Sequence, residues 1–457
     1  MYKKKRKQQR QKEKKLKLQR QKSPRNLLRQ IDKVVRHYLS KLPNHIDNSY
    51  KDPRRKASTT YKLSEIVLAA VYMYMMRSNS RNATNEDREN KDFKKNYKLL
   101  FKLKFPHMDT VNDVFEKLDA QIIEQVKRYI IRTLLARRVL HKYKLEGKYF
   151  LVAIDGTGVF TYDKEPYKGC PYKVSKNGKR TYYLNVVEAK IVTVNGFSIS
   201  IGSEWIINED GKTKQDCEYN AIIRLMENLK KQYPRLPMCL IMDGLFAKAP
   251  IKKKILQNNW EYIIVWKEKT LYSLQDIIKE QRANNRLKTE HKHIYHDSSR
   301  RTEQDYEFYT EGLENKGIKL YYISMEEKYI DITDSDKNKK VHFMYMTSIK
   351  PDKANIQQLI KAGRMRWKIE NEGFNTQKRK GYNLHHKMNR KSLLAIKNYY
   401  NCLQIAHIIE QLIILCKNSI TSLWRTTIKM WQHFKAVMLI TKDYEPITSH
   451  EKYNFRY

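Results

Sequence analysis

Acidic residues are in short supply relative to basic ones: 49 Asp and Glu stand against 92 Lys and Arg in 457 residues, a formal net charge of +43. That excess goes far beyond what solubility requires and points to a polyanionic partner, nucleic acid first. Long apolar runs are also missing. The longest, LSEIVLAAVYMYMM and AHIIEQLIILC, are short and interrupted by Glu65 and Glu410, whereas a spanning helix needs roughly 18 uninterrupted apolar residues. No membrane partner is therefore expected. Cysteine is sparse: Cys170, Cys217, Cys239, Cys402 and Cys416 are scattered, odd in number and form no Cys-x-x-Cys pair. This argues against a disulfide framework or a zinc site and fits a reducing cytoplasm.

Several signatures of other chemistries are lacking as well. There is no Gly-rich phosphate loop, which argues against an ATP-driven motor, and no His-Glu-x-x-His. His385 and His386 are adjacent, a poor arrangement for gripping one ion from a regular helix, and read better as a loop or DNA-facing pair. The 32 tyrosines do not fall into the Arg-His-Arg-Tyr arrangement of a tyrosine recombinase. No internal repeat is present.

What is there begins with a basic arm, residues 1–25, whose first 22 residues contain a single acid, Glu13, and no apolar signal core. It reads as a solvated, disordered segment able to bind phosphates whether or not it folds. Residues 26–145 carry apolar residues at helical spacing, with Asp109 or Thr110 as a helix start, among many Arg and Lys. They predict a helical DNA-binding domain, with a structural cap as the alternative. At Lys148 the texture changes: KYFLVAID, RTYYLNVVEAKIVTV and GFSISIGSEWI read as three strands. A helix follows with Ala221, Leu225 and Leu229 on one face, then the strand MCLIMD, a helix near APIKKKILQNN and the strand EYIIVW. This order predicts an α/β fold, a mixed sheet flanked by helices, over 146–270 and again over 348–400. Between them, 271–347 contains the strand-like stretches HKHIYH, YEFYTEG, IKLYYISM, KYIDITD and VHFMYMTSI, read as a β-rich insertion that either contacts DNA or packs inertly. Helices resume at Lys353, and 401–457 forms a C-terminal helical region.

Asp155 closes the apolar run FLVAI, Asp243 closes CLIM, and each precedes a glycine. Either Asp-Gly alone is commonly a turn; two of them at strand ends suggest paired carboxylates. Ile356, Ile360, Gly363, Trp367, Glu370 and Phe374 fall along one helical stripe, which sets the Glu370 carboxylate on the face that should meet the sheet, where an unpaired charge is costly. Arg366, four residues earlier, could pair with it. Alternatively a metal bridges Glu370 to the two aspartates, the oxygen-donor set that two-metal phosphodiester chemistry needs. Glu372 lies about 200° around the helix and is not chosen. Trp367 is read as core packing ahead of base stacking, and Glu204 as a possible auxiliary acid.

These residues resemble the insertion-sequence DDE transposases of the ribonuclease-H-like superfamily, in the group whose third acid lies in a Tyr-x2-Arg-x3-Glu-x6-Lys signature. Arg366 and Glu370 match its Arg and Glu, Trp367 follows the arginine as it commonly does there, and AIDGTG and LIMDGLFA match the other two acids over roughly residues 146–400. Two positions depart: Gly363 stands where the tyrosine falls, and Gln377 where the lysine falls, with Lys378 one residue later. Lys378 could substitute only if the helix ends or bulges. The resemblance implies a ribonuclease-H-like core and a DNA transposase. Asp155, Asp243 and Glu370 would be its catalytic and metal-binding residues, with two Mg²⁺ ions that Mn²⁺ can replace. Arg366, Lys378, Arg379 and Lys380 would contact DNA, and a homodimer would join terminal inverted repeats to target DNA in a prokaryotic nucleoid. The alternatives on the same fold are a divalent-dependent nuclease and a DNA-binding relic.

Overall fold

The computed structural model describes residues 24–55, 57, 59–208, 216–267, 271–297, 299–415 and 426–440. Most of the expected basic arm, and Cys416, lie outside them. Helices α1 (Pro24–Leu39), α2 (Leu42–Ser49), α3 (Leu63–Met75), α4 (Arg81–Glu89), α5 (Lys91–Phe101), α6 (Met108–Phe115) and α7 (Ala120–Ala136) come first. Strands β1 (Phe150–Tyr162), β2 (Tyr172–Val174), β3 (Arg180–Val192) and β4 (Ser198–Ile206) follow. Then come α8 (Glu218–Gln232), β5 (Met238–Met242), α9 (Ala249–Gln257), β6 (Glu261–Val265) and α10 (Tyr272–Ala283). Strands β7 (Lys288–Tyr295), β8 (Arg300–Phe308), β9 (Leu313–Asn315), β10 (Ile318–Asp331) and β11 (Lys339–Thr347) precede α11 (Ile356–Arg364). A π-helical turn, Ile369–Phe374, leads into α12 (Asn375–Arg379), α13 (Leu393–Leu415) and α14 (Thr427–Ile440). The described residues fall into two compact units, the first within Met1–Val139, Val159–Leu184 and Gly373–Tyr457, the second within Leu140–Gly158 and Asn185–Glu372.

The first unit is helical, and its core explains the two interrupted apolar runs. α3 is buried nearly all round, as a helix apolar on every face must be. Its Glu65 accepts the backbone N–H of Lys62 at 3.0 Å and of Lys104 at 2.7 Å. α13 packs against α3, and its Glu410 takes hydrogen bonds from Arg77 and from the Trp431 indole. No described helix is long and apolar enough to cross a membrane. The continuous helical pattern after Asp109 breaks into α6 and α7, with Asp119 capping α7 through Gln121 N at 3.0 Å. The side chain of Asn398 closes the break by donating to the carbonyls of Phe115 and Leu118 at 3.0 and 2.8 Å, groups that a helix end would otherwise leave unpaired.

The second unit is α/β, built on a mixed sheet. Its strands run in the order β4-β3-β1-β5-β6-β11-β10-β8-β7, with β9 on β10. β1, β5 and β6 are mutually parallel neighbours, whereas β11, β10, β8 and β7 continue antiparallel. The five apolar residues that open β1 are all buried, the pattern of a strand covered on both faces. The expected helix is α8, with Ala221, Leu225 and Leu229 inward. It packs over Gly202 of β4, where a Cβ would meet Leu225 and Leu229 at 3.0 Å. Two stretches of the expected insertion, IKLYYISM and KYIDITD, are a single strand, β10, because Lys328 pairs with Asp305 and Glu326 at 3.1 Å and carries the polar middle across. The insertion's strands are joined to the same sheet through β11 on β6.

A candidate active site at the ends of the parallel strands

Asp155 and Asp243 sit side by side for a reason of register. Ala153 of β1 pairs with Ile241 of β5, and each aspartate stands two residues further along its own parallel strand, on neighbours about 4.8 Å apart. β5 ends at Met242, whereas β1 runs on to Tyr162. Asp155 therefore marks the end of the pairing with β5 and not the end of its strand.

The glycines after these aspartates are there for space. Neither Gly156 nor Gly244 has a left-handed φ. At Gly156 a Cβ would stand 2.5 Å from Oε1 of Glu218, and at Gly244 it would stand 2.7 Å from the Val265 carbonyl and 3.0 Å from Cγ of Lys267. The first glycine thus admits a further carboxylate. The second lets the end of β6 approach, so that Lys267 Nζ lies 2.8 Å from Asp243 Oδ1. Sequence reasoning passed over both Glu218 and Lys267, whose only signal is their position at the start of a helix and just after a strand.

Glu370 joins from the π-helical turn, half-buried, and its charge acts on Asp155. Arg366 is buried. Its Nη1 lies 3.5 Å from Asp155 Oδ2, its guanidinium stacks over the Trp367 ring at 4.3 Å, and its Nε has no partner among the described residues. The alternative reading, an Arg366–Glu370 ion pair, is not seen among the described residues: the chain leaves α11 after Arg364 and re-enters helical geometry as a wider turn, so four-residue spacing no longer aligns the two. For the same reason Trp367 leaves the apolar stripe: it is 52% exposed and not a core residue. Glu372 pairs with Lys368 at 2.8 Å.

Burial pushes the Asp155 carboxyl up to about 6; Arg366 and the Gly156 N–H pull it back in part, and Glu218 and Glu370 add to the rise. Burial also acts on Asp243, but Lys267, the Leu245 N–H and Arg366 outweigh it and hold that carboxyl below its ordinary value. Two aspartates one strand apart therefore differ in proton affinity chiefly because one is the more deeply buried and has acids nearby, while the other meets a lysine. Hard oxygen donors of this kind suit Mg²⁺. As they stand, no three His, Cys, Asp or Glu side chains among the described residues close on a single point, Asp155 being engaged by Arg366 and Asp243 by Lys267.

The two departures from the signature have structural causes. A Cβ at Gly363 would lie 2.7 Å from Cε1 of Tyr345, so a β11 tyrosine fills the space that a side chain at 363 would need. Gln377 is fully buried in the first unit and donates to Gln404 at 2.8 Å, a core position closed to a solvated cation. Lys378 is half-buried near the Phe374 ring, and Arg379 and Lys380 are exposed. These three belong to the first unit, whereas Asp155, Asp243, Glu370 and Arg366 all belong to the second. Glu204 is bound to Arg224 at 2.8 Å, and Arg224 also holds Asp216, a clamp between β4 and α8 that occupies the suggested auxiliary acid. His385 meets the Val159 carbonyl at 2.9 Å. No protein-family model matches the chain, and no curated protein matches it.

Proposed function

We propose that this chain is a DNA transposase that cuts the ends of its element and joins them to target DNA by metal-assisted in-line phosphoryl transfer. The observation that supports the reading is that Asp155 and Asp243, remote in sequence, stand on neighbouring parallel strands beside the buried Arg366, with the charge of Glu370 acting on Asp155. The order β4-β3-β1-β5-β6 supports a ribonuclease-H-like core, and the net charge of +43 supports DNA as partner.

Asp155, Asp243 and Glu370 would hold two divalent ions, which supply an activated oxygen nucleophile and a counter-charge for the leaving oxygen. The protein's own part is positional. Arg366, permanently charged and fixed by Trp367, offers its unpartnered Nε–H to a phosphate oxygen. Lys267 keeps Asp243 ionised, and Gly156 and Gly244 keep bulk away from the aspartates.

Purified protein incubated with the DNA flanking its own reading frame and Mg²⁺ should yield nicked and then joined products. Asp155→Asn, Asp243→Asn and Glu370→Gln should each abolish both while leaving DNA binding within a few fold. Products that are nicked but never joined would identify a nuclease instead, and full activity in any variant would remove that residue from the site.

A further inference from the structure

We propose that Glu218 is a fourth carboxylate of this site and helps Asp155 hold a divalent cation. The inference rests on the two-metal reading above. Glu218 opens α8 behind Cys217, and its carboxylate lies against the backbone immediately after Asp155, 2.5 Å from where a Gly156 Cβ would be. A side chain at 156 would push that carboxylate aside, and Gly156 has no unusual φ to explain it otherwise.

The placement does little for folding beyond putting an acid in the first turn of α8. Glu218 is exposed, off the inward face of α8, and makes no ion pair or hydrogen bond among the described residues. Its charge opposes that of Asp155, and the favourable field of a helix N-terminus, about 0.3–1 kcal/mol, offsets such a like-charge approach only in part. A cation between the two carboxylates reverses the sign of the interaction.

A second observation points to a ligand beside Asp155. Arg366 is only 7% exposed, reaches Asp155 at no better than 3.5 Å, and keeps its Nε unpaired. A buried guanidinium so poorly matched by protein acceptors calls for an outside anion. The charges then close. Asp155, Asp243, Glu370 and Glu218 against Arg366 and Lys267 leave two negative charges. Two divalent cations, one phosphodiester and one hydroxide nucleophile bring the assembly to neutrality, whereas three carboxylates leave it positive.

The test uses the full chain, Mn²⁺ alone as the probe, and flanking DNA with Mg²⁺. Glu218→Gln keeps the side-chain shape and removes the charge. Its Mn²⁺ affinity, read by calorimetry or paramagnetic resonance, should fall about tenfold or more. The Mg²⁺ concentration for half-maximal nicking should rise by a similar factor, with Glu218→Asp intermediate and the melting temperature unchanged. Native Mn²⁺ affinity in Glu218→Gln, alongside its loss in Asp155→Asn, would overturn the fourth carboxylate and leave the trio standing. Mn²⁺ affinity unaffected by Asp155→Asn as well, or no nicking by the unaltered protein, would overturn the underlying reading and this inference with it.

Discussion

Replacing Asp155 by asparagine should inactivate the protein and make it more stable. The carboxyl titrates at about 6 in the folded chain against an ordinary 3.8, chiefly because it is buried. The folded state therefore holds the proton more tightly than the unfolded chain does. Ionisation costs almost nothing below about pH 4 and its full amount above about pH 6. The gap of roughly two pH units is worth about 3 kcal/mol. With 26% of the side chain still reached by water, about 2 kcal/mol is the working figure. Asparagine keeps the acceptor for the Gly156 N–H, present at 2.9 Å, and drops the charge. Urea unfolding in the presence of a chelator should show Asp155→Asn more stable by about 2 kcal/mol at pH 7.5, with the advantage falling to about half by pH 5. An unaltered protein at least as stable as the variant at pH 7.5, or a difference independent of pH, would refute the reasoning.

Lys252 offers the opposite sign. It is fully buried, among the described residues its Nζ donates to Asn315 alone, at 3.0 Å, and burial together with Lys316 lowers it to about 8. Its charge weakens the fold below that pH and the loss is recovered as pH rises toward 10.5. Lys252→Met should gain about 2–3 kcal/mol at pH 7 and little above pH 10, and a pH-independent gain in urea titrations would exclude this cause. Gln377→Lys, which restores the signature lysine, should cost about 3 kcal/mol or more by burying an unpaired charge, seen as a lowered melting temperature; unchanged melting would show that the position is open to water. Gly363→Ala should cost about 1–3 kcal/mol by pressing on Tyr345, and combining it with Tyr345→Ala should remove most of that increment in a double-mutant cycle. Additive effects would show that the two sites do not touch.

The parts of the fold that rest on local pattern were legible in the sequence. The runs FLVAI and CLIM became β1 and β5 with their aspartates adjacent, because apolar residues covered on both faces admit few other arrangements. Glu370, set by the sequence on an inward stripe, lies half-buried in the π-helical turn beyond the break of that stripe. What the pattern missed depends on geometry that a constant helical period does not encode. The break at Met365–Arg366 and the π-helical turn redirected Trp367 to solvent and Arg366 to Asp155. Glu218 and Lys267 reach the site only through tertiary approach over Gly156 and Gly244. The burial of Gln377 depends on Gln404 and His407, 27 and 30 residues further along.

The exposed indole beside Arg366 supplies an intrinsic optical probe. Of six tryptophans, Trp205, Trp260, Trp266 and Trp431 are enclosed and Trp367 stands open, while Trp424 lies outside the described residues. Among the described tryptophans the open ring should emit furthest to the red and be the one most quenched by iodide. An oligonucleotide that draws the guanidinium off that ring should change the emission before any strand is cut, so that docking and chemistry can be timed separately without a label.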